Sequence, residues 1–330
     1  MDDKQTFAES DTSQIDKSSL WAAIDVGSNS TLLLIADIGA RQNREKTVIK
    51  PLLEQTKTTR LGSELATTGL ISQKAMSDTE NIIWEYYCTC CDLGVLPENI
   101  MVAGTFALRE ARNREEFRKK IFRRCGLNVA IISPEREAAL VWSAATAALS
   151  MSDFPYLVFD IGGGSTEIMF LKSPSNRLQM VSIELGCLSL TEKFALTTPT
   201  LLEIRKSLFT DIQKTLRNYE NSFEKVPEPQ AIGVGGTMTT VAAIRKELGH
   251  YDANLIHGTT VSTATVVEIF EYLWALPPAE RRTVTGLSQP RADIILAGLA
   301  ICLCIMDWWR IKSVTISTWG LRHGLLLDIH

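Results

Sequence analysis

The stretch Leu157-Val-Phe-Asp160-Ile-Gly162-Gly163-Gly164-Ser165-Thr166-Glu167 constrains this chain most. It opens on apolar, β-prone residues, places an Asp at the strand end, and runs into three glycines, two hydroxyls and a Glu. A strand entering glycines makes a tight turn whose backbone N–H groups can point at an anion. Ser165 and Thr166 add hydroxyl donors. Asp160 and Glu167 are acids, so their work would be to hold a divalent cation or position a water. A hairpin would bring them together. The stretch is not a Walker loop, since no Gly-Lys-Ser/Thr follows, and it lacks the spacing of the dinucleotide fingerprint. A glycine-rich hairpin without a ligand is the plain alternative.

The same grammar occurs earlier. Trp21 to Asp37 reads as a strand ending in Asp25, a turn of Gly27-Ser28-Asn29-Ser30, and a second apolar strand. Asp-x-Gly followed by Ser in both copies argues for a duplicated architecture. A length of 330 residues fits about two domains, and 45% apolar content can fill two cores.

Other segments have local readings. Residues 1–19 are polar and read as a disordered tail. A strand is expected at Lys46–Leu53, and Arg60 follows as either a surface charge or an anion ligand. Ser72 to Cys91 has the cap and apolar stripe of a helix. Ile100 to Gly104 reads as a strand; Thr105 and Arg109 come next, where an arginine one turn past a strand end can meet a phosphate or lie on the helix surface. The run Arg114–Arg124 is a basic helix, either a solvated face or a guide for an anionic substrate. Ser133 and Pro134 start a helix that carries Glu135 and Glu137 in its first turn, where acids also favour the helix dipole. Gln230 to Val234 is a third strand that meets glycines, Gly235-Gly236-Thr237, before a helix. His257, beside Gly258, reads as a packed histidine.

A formal charge of −4 argues against a general nucleic-acid binder. The longest apolar run, Ile294–Met306, is too short to span a bilayer, so no membrane partner is expected. Asp2 and Asp3 precede no apolar signal region, and seven cysteines without a paired metal cluster read as reduced thiols; both point to a cytoplasmic protein.

Taken in order, Asp25-Val-Gly-Ser-Asn-Ser, Gly104-Thr105 with Leu108-Arg109, Glu137-Ala138, Asp160-Ile-Gly-Gly-Gly-Ser-Thr-Glu167, Gly235-Gly236-Thr237, Arg291-Ala-Asp293 and Gly320-Leu-Arg-His-Gly324 resemble the exopolyphosphatase and guanosine pentaphosphate phosphohydrolase family. The resemblance runs from Trp21 to the end. It implies an α/β fold of two RNase-H-like domains of the actin, sugar kinase and Hsp70 superfamily, with an interdomain cleft. Domains would span 20–134 and 135–330, with the last helix packing back on the first. The chain looks like the short form, without the C-terminal helical module of longer members.

The resemblance also implies roles. Glu137 would be the general base, although Arg136 stands where the family has an acid and leaves Glu135 as an alternative. Glu167 would be a second catalytic acid. Asp160 and Asp25 would hold a magnesium ion (Mg2+). Gly27, Ser28, Asn29 and Ser30 would form one phosphate loop, and Gly163, Gly164, Ser165 and Thr166 the other, with Thr105 and Arg109 completing the cradle. Gly235, Gly236 and Thr237 resemble the superfamily's adenosine loop and join the phosphate-binding set. The implied reaction releases terminal orthophosphate from inorganic polyphosphate. Guanosine pentaphosphate hydrolysis, or an alarmone or phosphate sensor on the same fold, is the alternative. A homodimer is the implied assembly.

Overall fold

Each strand–Asp–turn stretch becomes the first hairpin of its own sheet. The computed structural model describes residues 3–6, 17–39, 48–149, 154–197, 202–224, 226 and 228–329. It divides into two compact units, Asp2–Ala144 with Leu321–His330, and Ala145–Gly320.

The N-terminal unit holds β1 (Asp3–Thr6), β2 (Leu20–Val26), β3 (Ser30–Ile38), β4 (Ile49–Thr58), β5 (Ile100–Gly104) and β6 (Val129–Ile131). Their order in the sheet is β1-β4-β3-β2-β5-β6. β2, β3 and β4 form an antiparallel meander, and β5 and β6 run parallel to β2 and to each other. The C-terminal unit holds β7 (Tyr156–Ile161), β8 (Thr166–Leu171), β9 (Gln179–Ile183), β10 (Gln230–Val234), β11 (Thr260–Ser262) and β12 (Ser313–Ile316). Its order is β11-β12-β10-β7-β8-β9. Again a meander, β7 to β9, is followed by parallel strands, β10 and β12. Without the edge strands β1 and β11 the two sheets have one topology, the RNase-H-like arrangement of the actin, sugar kinase and Hsp70 superfamily. In each, the first strand lies between its hairpin partner and a parallel strand, at the point where strand order reverses. Open α/β sheets bind ligands beyond the carboxyl ends of their strands at this point.

The sequence explains most elements. The central strands are continuous apolar runs: Ala22, Ala23, Ile24 and Val26 are buried, as are Leu157, Val158 and Phe159. Ser72 caps the helix Gln73–Asp92 by accepting from the Ala75 N–H at 3.2 Å, and Ala75, Met76, Thr79, Ile83, Tyr86 and Cys90 form its buried stripe. The helix Ile295–Trp308 is apolar on nearly all sides and sits in the C-terminal core. Among the described residues no helix is long and apolar enough to cross a membrane.

Three expectations change. Residues 3–6 do not belong to a disordered tail, because they pair with the backbone groups on the open edge of β4; residues 1–2 and 7–16 lie outside the described residues. The third strand of the first meander is Ile49–Thr58, extending past Leu53 to complete its pairing with β3, and positions 46 and 47 lie outside the described residues. The units divide at Ala144, inside the helix Pro134–Ala148, and not at residue 134. The first turns of that helix are held by the N-terminal unit through Glu137 and Leu140, which a local reading of the cap does not reveal. The last helix, Leu321–Leu327, packs on β2, β3 and β4 of the N-terminal unit.

Candidate active site

In the N-terminal unit, Asp25 is the penultimate residue of β2, opposite Leu32 of β3 and Ala103 of β5. Val26 pairs with Thr31, and the Gly27 N–H donates to Ser30 O at 3.0 Å, so Ser28 and Asn29 form a two-residue turn. The segment after β4 binds this turn from behind. Thr59 and Arg60 N–H groups donate to Asn29 O at 3.0 and 2.9 Å, and the Gly62 N–H donates to Ser28 O at 2.8 Å. In a trans peptide the N–H points opposite the preceding carbonyl. With these carbonyls fixed on one side, the N–H groups of Asn29 and Ser30 face the other. Ser28, Asn29 and Ser30 are buried, and Ser28 Oγ and Asn29 Oδ1 have no hydrogen-bond partner among the described residues. Buried polar atoms of that kind call for a water or ligand.

The C-terminal unit repeats the device. Asp160 stands opposite Glu167 across the β7–β8 ladder, as a hairpin requires. Ile161 pairs with Thr166, and the Gly162 N–H donates to Ser165 O at 2.9 Å, leaving Gly163 and Gly164 as the turn. Here the backing is the helix Cys187–Lys193. Cys187 N–H donates to Gly162 O at 3.0 Å, and Leu188 N–H to Gly163 O at 2.9 Å. The N–H groups of Gly163 and Gly164 therefore face away from that helix. Gly186 must lack a side chain, because a Cβ there would lie 2.2 Å from Gly163 O and 2.4 Å from Gly164 Cα.

The hydroxyls expected on phosphate have protein acceptors in this structure. Ser165 Oγ donates to Glu167 Oε1 at 2.8 Å, and Thr166 Oγ1 donates to Leu185 O at 2.5 Å. Glu167 is buried and also accepts from Ser182 Oγ at 2.6 Å. Gly235, at φ +87°, lies against Asp160: a Cβ would stand 2.5 Å from Oδ1. The Arg291 guanidinium covers Gly236, and Thr237 is buried against Gly298 of the helix Ile295–Trp308. His257 is packed as expected, its Nδ1 accepting from the Thr318 N–H at 3.2 Å.

Thr105 follows β5, is buried, and donates its N–H to Val26 O at 3.3 Å. One turn on, Arg109 Nη1 donates to Glu137 Oε2 at 2.5 Å and to Ile132 O at 3.2 Å. Glu137 reaches it from the start of the helix Pro134–Ala148, whose entry Ser133 caps by accepting from the Arg136 N–H at 3.2 Å. Burial pushes the Glu137 carboxyl above its ordinary range, and Arg109 opposes that push. Glu135 is exposed; its own backbone N–H and the Ser133 hydroxyl hold its pKa below the ordinary value. Of the two glutamates, Glu137 has the covered position and the arginine.

Among the described residues no three His, Cys, Asp or Glu side chains cluster as a metal cage. Asp25 and Asp160 each stand at a strand end beside a turn. One such carboxylate, completed by substrate phosphates and water, is a common magnesium arrangement. Burial pushes the Cys90, Cys302 and Cys304 thiols up to about 12, so these three do not suit a metal or a reactive thiol.

Two residues with no expected role, Gly62 and Gly186, back the two turns. Both follow a strand by a few residues in the sequence, but only the fold shows what each glycine approaches.

Comparison with known proteins agrees with this arrangement. The profile of the Ppx/GppA phosphatase family matches residues 34–330. Exopolyphosphatase 2 of Mycobacterium tuberculosis is 29% identical over 322 residues, covering 93% of this chain and 98% of its own. A bifunctional 3-dehydroquinate synthase/phosphatase of Fusobacterium nucleatum is 29% identical over 315 residues, and the match spans 94% of this chain but about half, 46%, of that protein. The guanosine-5'-triphosphate,3'-diphosphate pyrophosphatase of Vibrio atlanticus is 28% identical over 94% of this chain and 59% of its own length. Among solved structures, the Ppx/GppA family member of Aquifex aeolicus superposes with a TM-score of 0.75 at 31% identity, covering 94% of this chain and 96% of that one. Duplicated sheets, paired turns and these matches lead to one assignment: the chain belongs to the Ppx/GppA phosphatase family.

Proposed function

We infer that this chain is an exopolyphosphatase: it hydrolyses the terminal phosphoanhydride of inorganic polyphosphate and releases orthophosphate. The observation that carries the reading is Glu137, nearly buried and 2.5 Å from Arg109, with Arg109 shortly after the carboxyl end of β5 and Glu137 shortly after that of β6. A covered carboxylate beside a cation suits proton transfer at one fixed point.

In this reading the backbone N–H groups of Asn29, Ser30, Gly163 and Gly164 bind phosphate oxygens, and Arg109 neutralises the terminal group. Glu137 takes a proton from water as the water oxygen bonds to the terminal phosphorus. The bridging P–O bond breaks, and its electron pair leaves on the shortened chain. Positioning and charge stabilisation carry most of the rate. A magnesium ion, for which Asp160 and Asp25 are the candidate ligands, would supply further neutralisation of the phosphate oxygens. Glu167, fixed by Ser165 and Ser182, keeps the second turn in shape beside Asp160.

The relative named as a guanosine-5'-triphosphate,3'-diphosphate pyrophosphatase supports a second substrate for the same machinery, the 5'-end of guanosine pentaphosphate. Phosphate release from long polyphosphate, short polyphosphate and the nucleotide, measured side by side with magnesium and with chelator, tests both. Fastest release from polyphosphate supports the first reading, and release from the nucleotide alone supports the second. No release from any of them leaves a phosphate or alarmone sensor. Cytoplasmic action and a homodimer belong to the same reading; cell fractionation and light scattering check them.

A further inference from the structure

Arg109 reaches Glu137 with a single nitrogen. Nη1 serves both Glu137 and Ile132 O, while Nε and Nη2 make no hydrogen bond among the described residues. A guanidinium is a planar fork of five donors that matches phosphate oxygens two at a time. The Nε and Nη2 donors, most of this fork, are therefore unused. The pair is covered but not sealed, with 11% of the Arg109 side chain and 12% of the Glu137 side chain exposed. A carboxylate that accepts a charge-assisted hydrogen bond is a weaker proton acceptor than a bare one. In the state seen here, the proposed base is thus restrained by the same residue that is suited to bind the substrate.

We propose that Arg109 is a positioning residue that latches the base: it holds Glu137 while no phosphate is bound, and the terminal phosphoryl group draws its guanidinium off the carboxylate. This rests on Glu137 being the base. A phosphate chain end offers more charge and more acceptor oxygens than one carboxylate, so it competes well for the fork. Once Arg109 leaves, Glu137 is a covered charge without its partner, and its affinity for a proton rises when water must be deprotonated. Glu135 also feels the Arg109 charge, but it is exposed and does not compete for the same oxygen.

The latch predicts a binding effect that a plain general base does not. Affinity for a methylene-bridged triphosphate, which is not hydrolysed, is measured by calorimetry with magnesium on the full chain. E137Q binds about tenfold more tightly than wild type, the size of coupling expected between contacting groups, because Arg109 no longer has to leave a carboxylate. R109Q binds more weakly than wild type. In the R109Q background, E137Q changes nothing. If Glu137 merely repelled the anion, E137Q would tighten binding equally in both backgrounds, and the latch would be overturned. Unchanged affinity in E137Q overturns it too. Should R109Q fail to fold, R109K takes its place, and the gain from E137Q must shrink there. Wild type that binds no oligophosphate defeats the substrate assignment and the latch together, whereas binding without the tightening defeats the latch alone.

Discussion

Glu54 and Arg322 meet inside the N-terminal unit, Nη2 to Oε2 at 3.2 Å, with both side chains under a tenth exposed. Arg322 Nη1 also donates to Leu33 O at 2.6 Å, so the last helix is tied to two strands of the first sheet. Removing one member of a buried pair leaves an uncompensated charge. Glu54→Gln is expected to cost about 3–5 kcal/mol in denaturant unfolding. Replacing both with apolar residues of similar volume is expected to cost much less.

The same pair sets a pH dependence. Burial pushes the Glu54 pKa up, but Arg322 and His323 outweigh it and bring it down to about 2 from 4.5. A carboxyl with a lowered folded pKa contributes stability above its unfolded pKa and loses it as pH falls through the folded value. Wild type should therefore lose stability relative to E54Q between about pH 4.5 and 2. A constant difference between the two across that window contradicts the assignment.

Gly235 and Gly126 both have positive φ, +87° and +71°, but only Gly235 presses on the site. An alanine Cβ at 235 meets Asp160 Oδ1, whereas at 126 it meets nothing within 4 Å. Gly126→Ala is expected to cost roughly 1 kcal/mol of backbone strain and leave phosphate release intact. Gly235→Ala should lower release by about 10²-fold, the size of losing one electrostatic contact in a site. Equal activity in the two variants would show that Asp160 need not stay where it is.

Gly62→Ala and Gly186→Ala test the two turns separately. A Cβ at 62 would lie 2.8 Å from Ser28 Cβ, and the one at 186 presses on backbone. The proposed chemistry assigns phosphate contacts to each turn, so each variant should weaken oligophosphate binding. Gly186→Ala should do so more, since backbone yields less than a side chain. A variant of either that binds normally removes its turn from the account.

The acid limb of the activity profile tests the base. Glu137 must be deprotonated to accept a proton, and burial raises its pKa above the ordinary carboxylate range. Activity should therefore fall, as pH drops, at a value above 4.5. Glu135→Gln should leave this limb in place, because Glu135 is exposed and its pKa is shifted the other way.

Local signals in the chain were legible where the causes are local. Apolar runs marked β2 and β7, Ser72 and Ser133 marked helix entries, and Asp-x-Gly marked both turns, because strand, cap and turn preferences act over a few residues. The opposition of Asp160 and Glu167 followed from hairpin geometry alone. The Glu54–Arg322 pair did not, since nothing near either residue names the other. The same holds for β1, which needs the edge of β4, and for the hydroxyls of Ser165 and Thr166, whose acceptors lie on Glu167 and in the segment after β9. The family resemblance proposes Arg109 and Glu137 as site residues, but nothing in the sequence gives their contact.

Phosphate release from polyphosphate by purified wild type and E137Q, with magnesium at neutral pH, tests the central claim most directly. The account predicts steady release by wild type and a loss of about 10²–10⁴-fold in E137Q, with both proteins equally folded by circular dichroism. Release by E137Q at the wild-type rate would contradict it.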